Sequence, residues 1–211
     1  MQSWGTHSRF SVRDTGLEPS KSGVVGLLCA ALGRPRTARI ADLAVLQMGV
    51  RVDREGVMAY DYHTAQQVLR ASGSIKPTEV SRRYYLADAV FLVGLQGDEA
   101  LLPSIHAALH RPVWPLYLGR KAHVPGQPIW LPDGLHRSQD LLAALKSYPW
   151  QGRLDHKEPP ERLRLVLDDP DGPEVRPDLP LSFETAARRF APRRVRTDWI
   201  PLEVLPCTSP D

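Results

Sequence analysis

An α+β fold whose first part follows a ferredoxin-like order of elements is what this sequence predicts, on three observations. The 211 residues include 35 glycines and prolines against 42% apolar residues, which requires short elements and much irregular backbone around a real core. That balance excludes a wholly disordered chain and fits a loop-rich, β-containing protein better than a helical bundle. Apolar periodicity then gives the order helix, strand pair, strand, helix, strand pair, which is β-α-β-β-α-β apart from a missing first strand. From about residue 125 a second, irregular and β-containing segment follows, and no internal repeat of fixed period is present.

The first helix is predicted over SKSGVVGLLCAALG. Ser20 supplies an N-cap, Val24, Leu27, Leu28, Ala31 and Leu32 form one stripe, and Gly33 ahead of Pro35 is a stop signal. Gly23 and Gly26 each cost up to about 1 kcal/mol relative to Ala inside a helix. Close packing on a sheet would explain them, and so would a helix start open to a phosphate through Ser20, Lys21, Ser22 and the glycine N–H groups. Leu43 to Val52 reads as a strand, Asp53-Arg54-Glu55-Gly56 as a turn, and Val57, Met58 and Tyr60 as a short return strand. Thr64 to Arg83 keeps neither helical nor strand periodicity for long. It carries Arg70, Lys76, Arg82 and Arg83 against Glu79 alone, more than a connector between two strands needs. Ala87 to Leu95 is a buried strand by apolarity, and a helix from about Glu99 to His110 turns Leu101, Leu102, Ile105 and Leu109 inward.

VWPLYLGRKAHVPGQPIWL is extended and interrupted by proline, which suggests edge strands around a turn near Pro125-Gly126. A helix is expected around Ser138 to Leu145. Between Asp155 and Asp178 acid and proline dominate, and Arg162 to Leu167 is the one good strand. The basic stretch FAPRRVRTDWIPLEVL, with Arg193, Arg194 and Arg196, should end in a strand reaching about Leu205.

Net charge is only +3, yet 22 of the 27 basic residues are Arg. A planar guanidinium grips phosphate and stacks on bases, so the bias tilts toward nucleic-acid contacts, while a high genomic G+C content would give the same bias with no function attached. Cys29 and Cys207 form no CxxC, there is no HExxH and no His/Cys cluster, and neither zinc nor a disulfide framework is expected. No cofactor is expected either. No apolar run approaches 18 residues and no charged-then-apolar leader is seen, so the expected location is cytoplasmic, with no membrane contact. SKSGVVG matches neither a nucleophile elbow nor a phosphate-binding P-loop. Asp61 and His63 share a face on an extended strand and could form a pair in which the carboxylate orients His63 as a general base, while a surface turn with no catalytic role is the plainer reading. The stronger pattern interleaves arginine with tyrosine: Arg82, Arg83, Tyr84 and Tyr85, then Tyr117, Arg120 and Lys121. Single-stranded RNA is held by cations on phosphate and by rings under splayed bases; core packing is the alternative for Tyr84, Tyr85 and Tyr117.

Met1-Gln2-Ser3-Trp4-Gly5, PSKSGVVGLLCAALG from Pro19, DYHT from Asp61, YYLADAVFLVGL from Tyr84 and PLYLGRK from Pro115 together resemble the CasD subunit family of type I-E CRISPR effector complexes, called Cascade. The match is specific in order and spacing to about Lys121 and weaker beyond. The resemblance implies a ferredoxin-like (RRM-like) core over residues 1–124 with a protruding thumb at 64–83, and an irregular, β-rich C-terminal extension over 125–211. It also implies a non-catalytic subunit that caps the 5′ handle of the CRISPR RNA beside a CasC-like backbone subunit and a CasA-like large subunit, in proximity to target DNA. On this chain Gln2, Trp4 and Gly5 would lie near the handle with Ser20, Lys21 and Ser22. Tyr62 and His63 would shape the thumb base, Lys76, Arg82 and Arg83 would arm the thumb, and Arg120 and Lys121 would meet the RNA backbone. A metal-independent endoribonuclease that processes repeat RNA is the alternative, because related subtypes use such a protein with an adjacent Lys-His pair. Tyr62, His63 and Lys121 do not reproduce that pair. Members of the family usually carry an apolar strand ahead of the Met-Gln-x-Trp-Gly element, and the sequence opens at Met1 without it. The expectation is unpaired backbone on the neighbouring strands and an apolar helix face left open.

Overall fold

The computed structural model describes residues 1–6, 11–152 and 159–202. After a two-residue strand β1 (Val12–Arg13), helix α1 (Lys21–Leu32) starts where Ser20 accepts a hydrogen bond from the Gly23 amide and stops at Gly33, whose left-handed φ of 69° closes the last turn. Both ends are where the sequence places them. The apolar run at Leu43 is divided: Ala41–Ala44 form a helical turn, α2, and strand β2 begins only at Gln47 and ends at Arg54. β2 is buried on both faces. Met48 and Val50 pack on Val24 of α1, while Arg51 and Asp53 turn to the other side.

The expected short return strand is instead thirteen residues long. β3 (Val57–Leu69) and β4 (Ile75–Ala87) form one continuous antiparallel hairpin in which Met58 faces Leu86 and Leu69 faces Ile75. Thr64 to Arg83, expected to lack regular structure, therefore lies within a regular ribbon. It shows no apolar alternation because none of it is buried and most of it is exposed, so burial imposes no pattern. Ser72-Gly73-Ser74 is the turn of this hairpin: the Arg70 amide donates to Ser74 O and the Gly73 amide to Arg70 O, with Gly73 at φ 79°. β1 pairs parallel with β4, Val12 opposite Arg82 and Arg13 opposite Arg83, to complete a three-stranded sheet β1-β4-β3. The expected strand Ala87 to Leu95 is split at Asp88, which has a positive φ of 57°, and β5 runs from Val90 to Gln96.

Helix α3 (Leu101–His110) covers α1, and α4 (Leu141–Ser147), capped by the Asp140 carboxylate on the Ala143 amide, covers the opposite face of the sheet. Between them, Val113 to Leu131 forms turns and irregular backbone and no strand among the described residues. Pro115, Pro125 and Pro128 remove donors a ladder would need. β6 (Arg162–Asp168), β7 (Glu174–Ser182) and β8 (Arg189–Pro201) complete a five-stranded antiparallel sheet in the order β5-β2-β6-β8-β7. β7 was not anticipated, since it contains Pro177 and Pro180. As an edge strand with register shifts at both prolines it tolerates the missing donors. The expected continuation of the last strand to Leu205 lies outside the described residues.

Strands on either side of residue 124 thus share one sheet, and β2 is flanked by β5 and β6. β5 has β2 as its strand partner; beside Phe91, Val93 and Leu95 runs an apolar groove of about 630 Å³, whose other wall includes Val24, Leu28 and Leu109. The architecture is mixed α+β, with helices on both faces of the five-stranded sheet. No helix is long and apolar enough to cross a membrane.

Candidate nucleic-acid interface

Four elements converge above the first half of α1. Gly23 lets the Trp4 indole lie on the helix, since a Cβ there would come within 2.8 Å of the ring. Trp4 is buried, donates from Nε1 to Gln2 Oε1, and packs with Leu86 and Ala89. Gln2 also donates to Ala89 O and exchanges backbone hydrogen bonds with Leu86. These two residues fasten the hairpin base to α1. Next to them, the Ser3 amide donates to Leu118 O, and Gly119 runs so close that a Cβ would sit 1.6 Å from Ser3 O. With its φ of 84°, position 119 admits glycine alone. This crossing aims Arg120 and Lys121 in different directions.

On one side of the crossing opens a cleft of about 870 Å³, floored by Ser22, Gly26 and Ala30 of α1. Trp114, Tyr117 and Lys121 line one wall, and Phe183, Arg188 and Phe190 line another; Gly5 and Ser20 also reach it. Arg34 and Arg36 stand at the far end. Arg34 is spent on a bidentate pair with Asp42, at 2.7 and 2.6 Å, whereas Arg36, Lys121 and Arg188 are exposed and have no acidic partner among the described residues. Trp114 and Phe190 are 43% and 44% exposed, unusually open for such large rings. Burial lifts the Cys29 thiol below the floor to about 11, which keeps it unreactive.

On the other side of the crossing, Arg120 donates to the carbonyls of Arg13 and Asp14. Burial, and then the charges of Arg83 and Arg13, push its guanidinium below the ordinary arginine value, although Asp14 and Asp61 oppose the shift. Three cations are therefore crowded at the hairpin base, an arrangement that an anion would relieve. His123 beside it is held below the usual imidazole value, by burial first and Arg120 second, and its ring lies edge-on to Tyr85 at 6.0 Å.

Of the residues singled out in the sequence, Gly5, Ser20, Ser22 and Lys121 come together at the cleft, and Arg83 and Arg120 at the hairpin base. Tyr62, His63, Lys76 and Arg82 stand on the hairpin, where Lys76 is paired with Glu79 at 2.5 Å and His63 with Asp61 on the face they share. Lys21 is not at the surface. It is 6% exposed and its Nζ holds Asp168 at 2.7 Å, while its amide donates to Asp178 at 2.7 Å. With the Gly23 amide taken by Ser20, the helix start is largely filled by protein acceptors rather than open to a phosphate. Arg193 is likewise buried between Asp178 and Asp168. Burial opposes its charge, but the two carboxylates more than offset this and hold the guanidinium above its ordinary value. Arg36, Trp114, Phe183, Arg188 and Phe190 escaped the sequence reading. An exposed Trp between prolines, in PVWPLY, was the available signal.

The family model for the CRISPR-associated protein family Cas_Cas5 matches residues 1–196. The chain belongs to this family. It is 30% identical over 210 residues to the CRISPR system Cascade subunit CasD of Escherichia coli (strain K12), covering 92% of this chain and 89% of that protein. A crystal structure described as a Cas protein is 47% identical with a TM-score of 0.77, covering 95% of this chain and 90% of that one. A chain of a CRISPR RNA-guided surveillance complex is 36% identical with a TM-score of 0.80, covering 95% and 86%. These likenesses make the chain a CasD/Cas5-type RAMP subunit of the type I-E Cascade kind. Among the described residues of this Cas5-family chain, no group of three His, Cys, Asp or Glu could hold a metal ion.

Proposed function

We propose that the chain binds and caps the 5′ handle of a CRISPR RNA, without cutting it, as one subunit of a Cascade-type surveillance complex. The observation that carries this reading is the acid-free cleft rim of Arg36, Lys121 and Arg188 with its exposed rings, continued across Gly119 to the crowded Arg13, Arg83 and Arg120. Cations at such spacing neutralise consecutive phosphates and open rings accept splayed bases, which suits a single strand better than a duplex. The hairpin Val57–Ala87 corresponds to the thumb implied by the resemblance, longer than the stretch 64–83. A CasC-like backbone subunit and a CasA-like large subunit are the partners this reading supplies, and the names of the relatives support a place in such an assembly.

The Asp61–His63 pair favours the second reading, a metal-independent endoribonuclease. Both side chains are about half exposed, so solvent screens the pair. Full-length protein incubated with repeat RNA, with magnesium or with excess chelator, should therefore leave the RNA intact on a denaturing gel. A discrete cut that disappears in His63→Ala would replace the binding reading with the nuclease one.

A further inference from the structure

Four charged side chains meet under the start of α1. Asp178 of β7, Arg193 of β8, Asp168 at the end of β6 and Lys21 at the first position of α1 have side-chain exposures of 3%, 9%, 14% and 7%, so water screens them little. Lys21 Nζ donates to Asp168 at 2.7 Å. Arg193 donates from Nη1 to Asp168, and from Nε and Nη2 to Asp178 at 2.7 and 3.1 Å. The Lys21 amide closes the ring on Asp178 at 2.7 Å, and the Met48 amide joins β2 to Asp168 at 2.9 Å. Such a quartet is a poor source of stability, because desolvating four charges offsets most of their attraction and apolar side chains of similar volume do as well. What it adds is direction. β7 meets α1, yet no residue of β7 belongs to an apolar cluster among the described residues. The ladder is deformed to make the link: the β7–β8 register shifts between Arg176 and Leu179, and Asp178 lies in that bulge, which re-aims its side chain. Beyond the quartet the same two strands run on to one wall of the cleft. Phe190 stands three residues from Arg193 and Phe183 five from Asp178, about 10 and 17 Å along the chain. Phe183 rests on the α1 core by apolar contact, which is non-directional, whereas the hydrogen bonds of the quartet hold only over a narrow range of angles.

We propose that Lys21, Asp168, Asp178 and Arg193 form a joint that sets the gap between α1 and the cleft wall of Phe183, Arg188 and Phe190, and that all four are positioning residues for an RNA strand they do not touch, a role that rests on the RNA-binding reading above. Two cations and two carboxylates cancel inside the fold, so the joint itself neither holds nor repels a phosphate. It acts through the wall. Arg188 and Phe190 face the cleft from the β7–β8 connection, while Ser22 and Gly26 floor it one and five residues after Lys21. A joint that ties the first turn of α1 to β6, β7 and β8 at once therefore fixes floor and wall relative to each other.

The test uses the full chain and a single-stranded handle RNA of about ten nucleotides, within the usual range of single-strand site sizes. Lys21→Met, Asp168→Asn, Asp178→Asn and Arg193→Met combined remove every charge of the quartet, leave the amides at positions 21 and 48 their acceptors, and leave no ion without its partner. Measured well below the melt, affinity should fall about 25-fold, roughly fivefold each for one phosphate contact and one stacked base. The log-log salt slope should shrink by about 0.7, although the quartet has no net charge to lose, because Arg188 no longer reaches its phosphate. Arg188→Ala with Phe190→Ala should cost the wild type a similar factor and the quartet variant less than about twofold, the non-additivity of residues that act through one another. Where the fourfold variant does not melt cooperatively, Asp178→Asn alone, which keeps the shape of the side chain, is read in the same cycle and should show the same coupling. A quartet variant that binds as the wild type does overturns the joint, and so does one whose loss adds in full to that of Arg188→Ala with Phe190→Ala. In either case, weakened binding by Arg36→Ala with Lys121→Ala leaves the RNA reading standing. If wild type fails to bind the RNA at all, the functional reading falls and takes the joint with it.

Discussion

Replacing Arg51 with alanine should destabilise the protein by about 3–5 kcal/mol, the usual cost of leaving one partner of a buried ion pair behind. Arg51 and Asp53 stand two apart on β2 and so point to the same face, at 2% and 0% side-chain exposure. The guanidinium donates to both Asp53 oxygens, at 2.7 and 2.9 Å, and its remaining N–H groups reach the carbonyls of Leu145, Tyr148 and Pro149 at 2.6, 2.6 and 3.0 Å. One side chain therefore closes the C-terminal end of α4 and fixes the segment after it, where the Gln151 amide and the Trp150 indole bond Asp53 in turn. Alanine leaves a buried carboxylate without its cation and three carbonyls without donors. For a chain of this size the melting temperature should fall by roughly 6–20 °C. Arg51→Lys should recover little, since an ammonium lacks the planar fork that serves four acceptor groups at once. Thermal melts of the three proteins check this, and a shift below about 2 °C for the alanine variant would contradict it. RNA affinity below the melt should be unchanged, because Arg51 lies on the side of the sheet away from the cleft.

Arg36→Ala, Lys121→Ala and Arg188→Ala combined should act the other way, on binding and not on folding. Each side chain is exposed and has no acidic partner among the described residues, so the melt should move by no more than surface changes usually produce, about 0.5 kcal/mol per site. If each cation holds one phosphate for about 1 kcal/mol after solvent screening, affinity for handle RNA should fall roughly 100-fold. The log-log slope against salt should shrink by about 2, at ~0.7 per contact on a single strand. Filter binding across several salt concentrations measures both quantities. Equal affinities and slopes would remove the cleft from the RNA path.

What the sequence allowed to be read, and what it hid, follows from where physical constraint acts. α1 was legible at both ends because Ser20 and Gly33 are local signals whose chemistry needs no partner. β6 was legible because Leu163, Leu165 and Leu167 alternate against a core. The hairpin was recognised only as a basic excursion, because water surrounds both faces and leaves no periodicity to detect. Lys21 reads as an exposed cation at a helix start. It is buried by Asp168 and Asp178, 147 and 157 residues away, and nothing local announces that. Half of the cleft was missed for the same reason. Arg188 and Phe190 reach α1 only because β7 and β8 close the far side of the sheet, and β7 is concealed by its prolines.

The most direct test of the account is to map the RNA path on the protein. Full-length chain bound to handle RNA carrying photoreactive bases is irradiated, digested, and the cross-linked peptides are identified by mass spectrometry. The account predicts cross-links in three stretches: the 114–121 segment, the 183–190 segment, and the base of the hairpin around Arg83. Cross-links confined to the outer face of β7 and β8, at Val175, Arg194 or Arg196, with none in the cleft or on the hairpin, would contradict it.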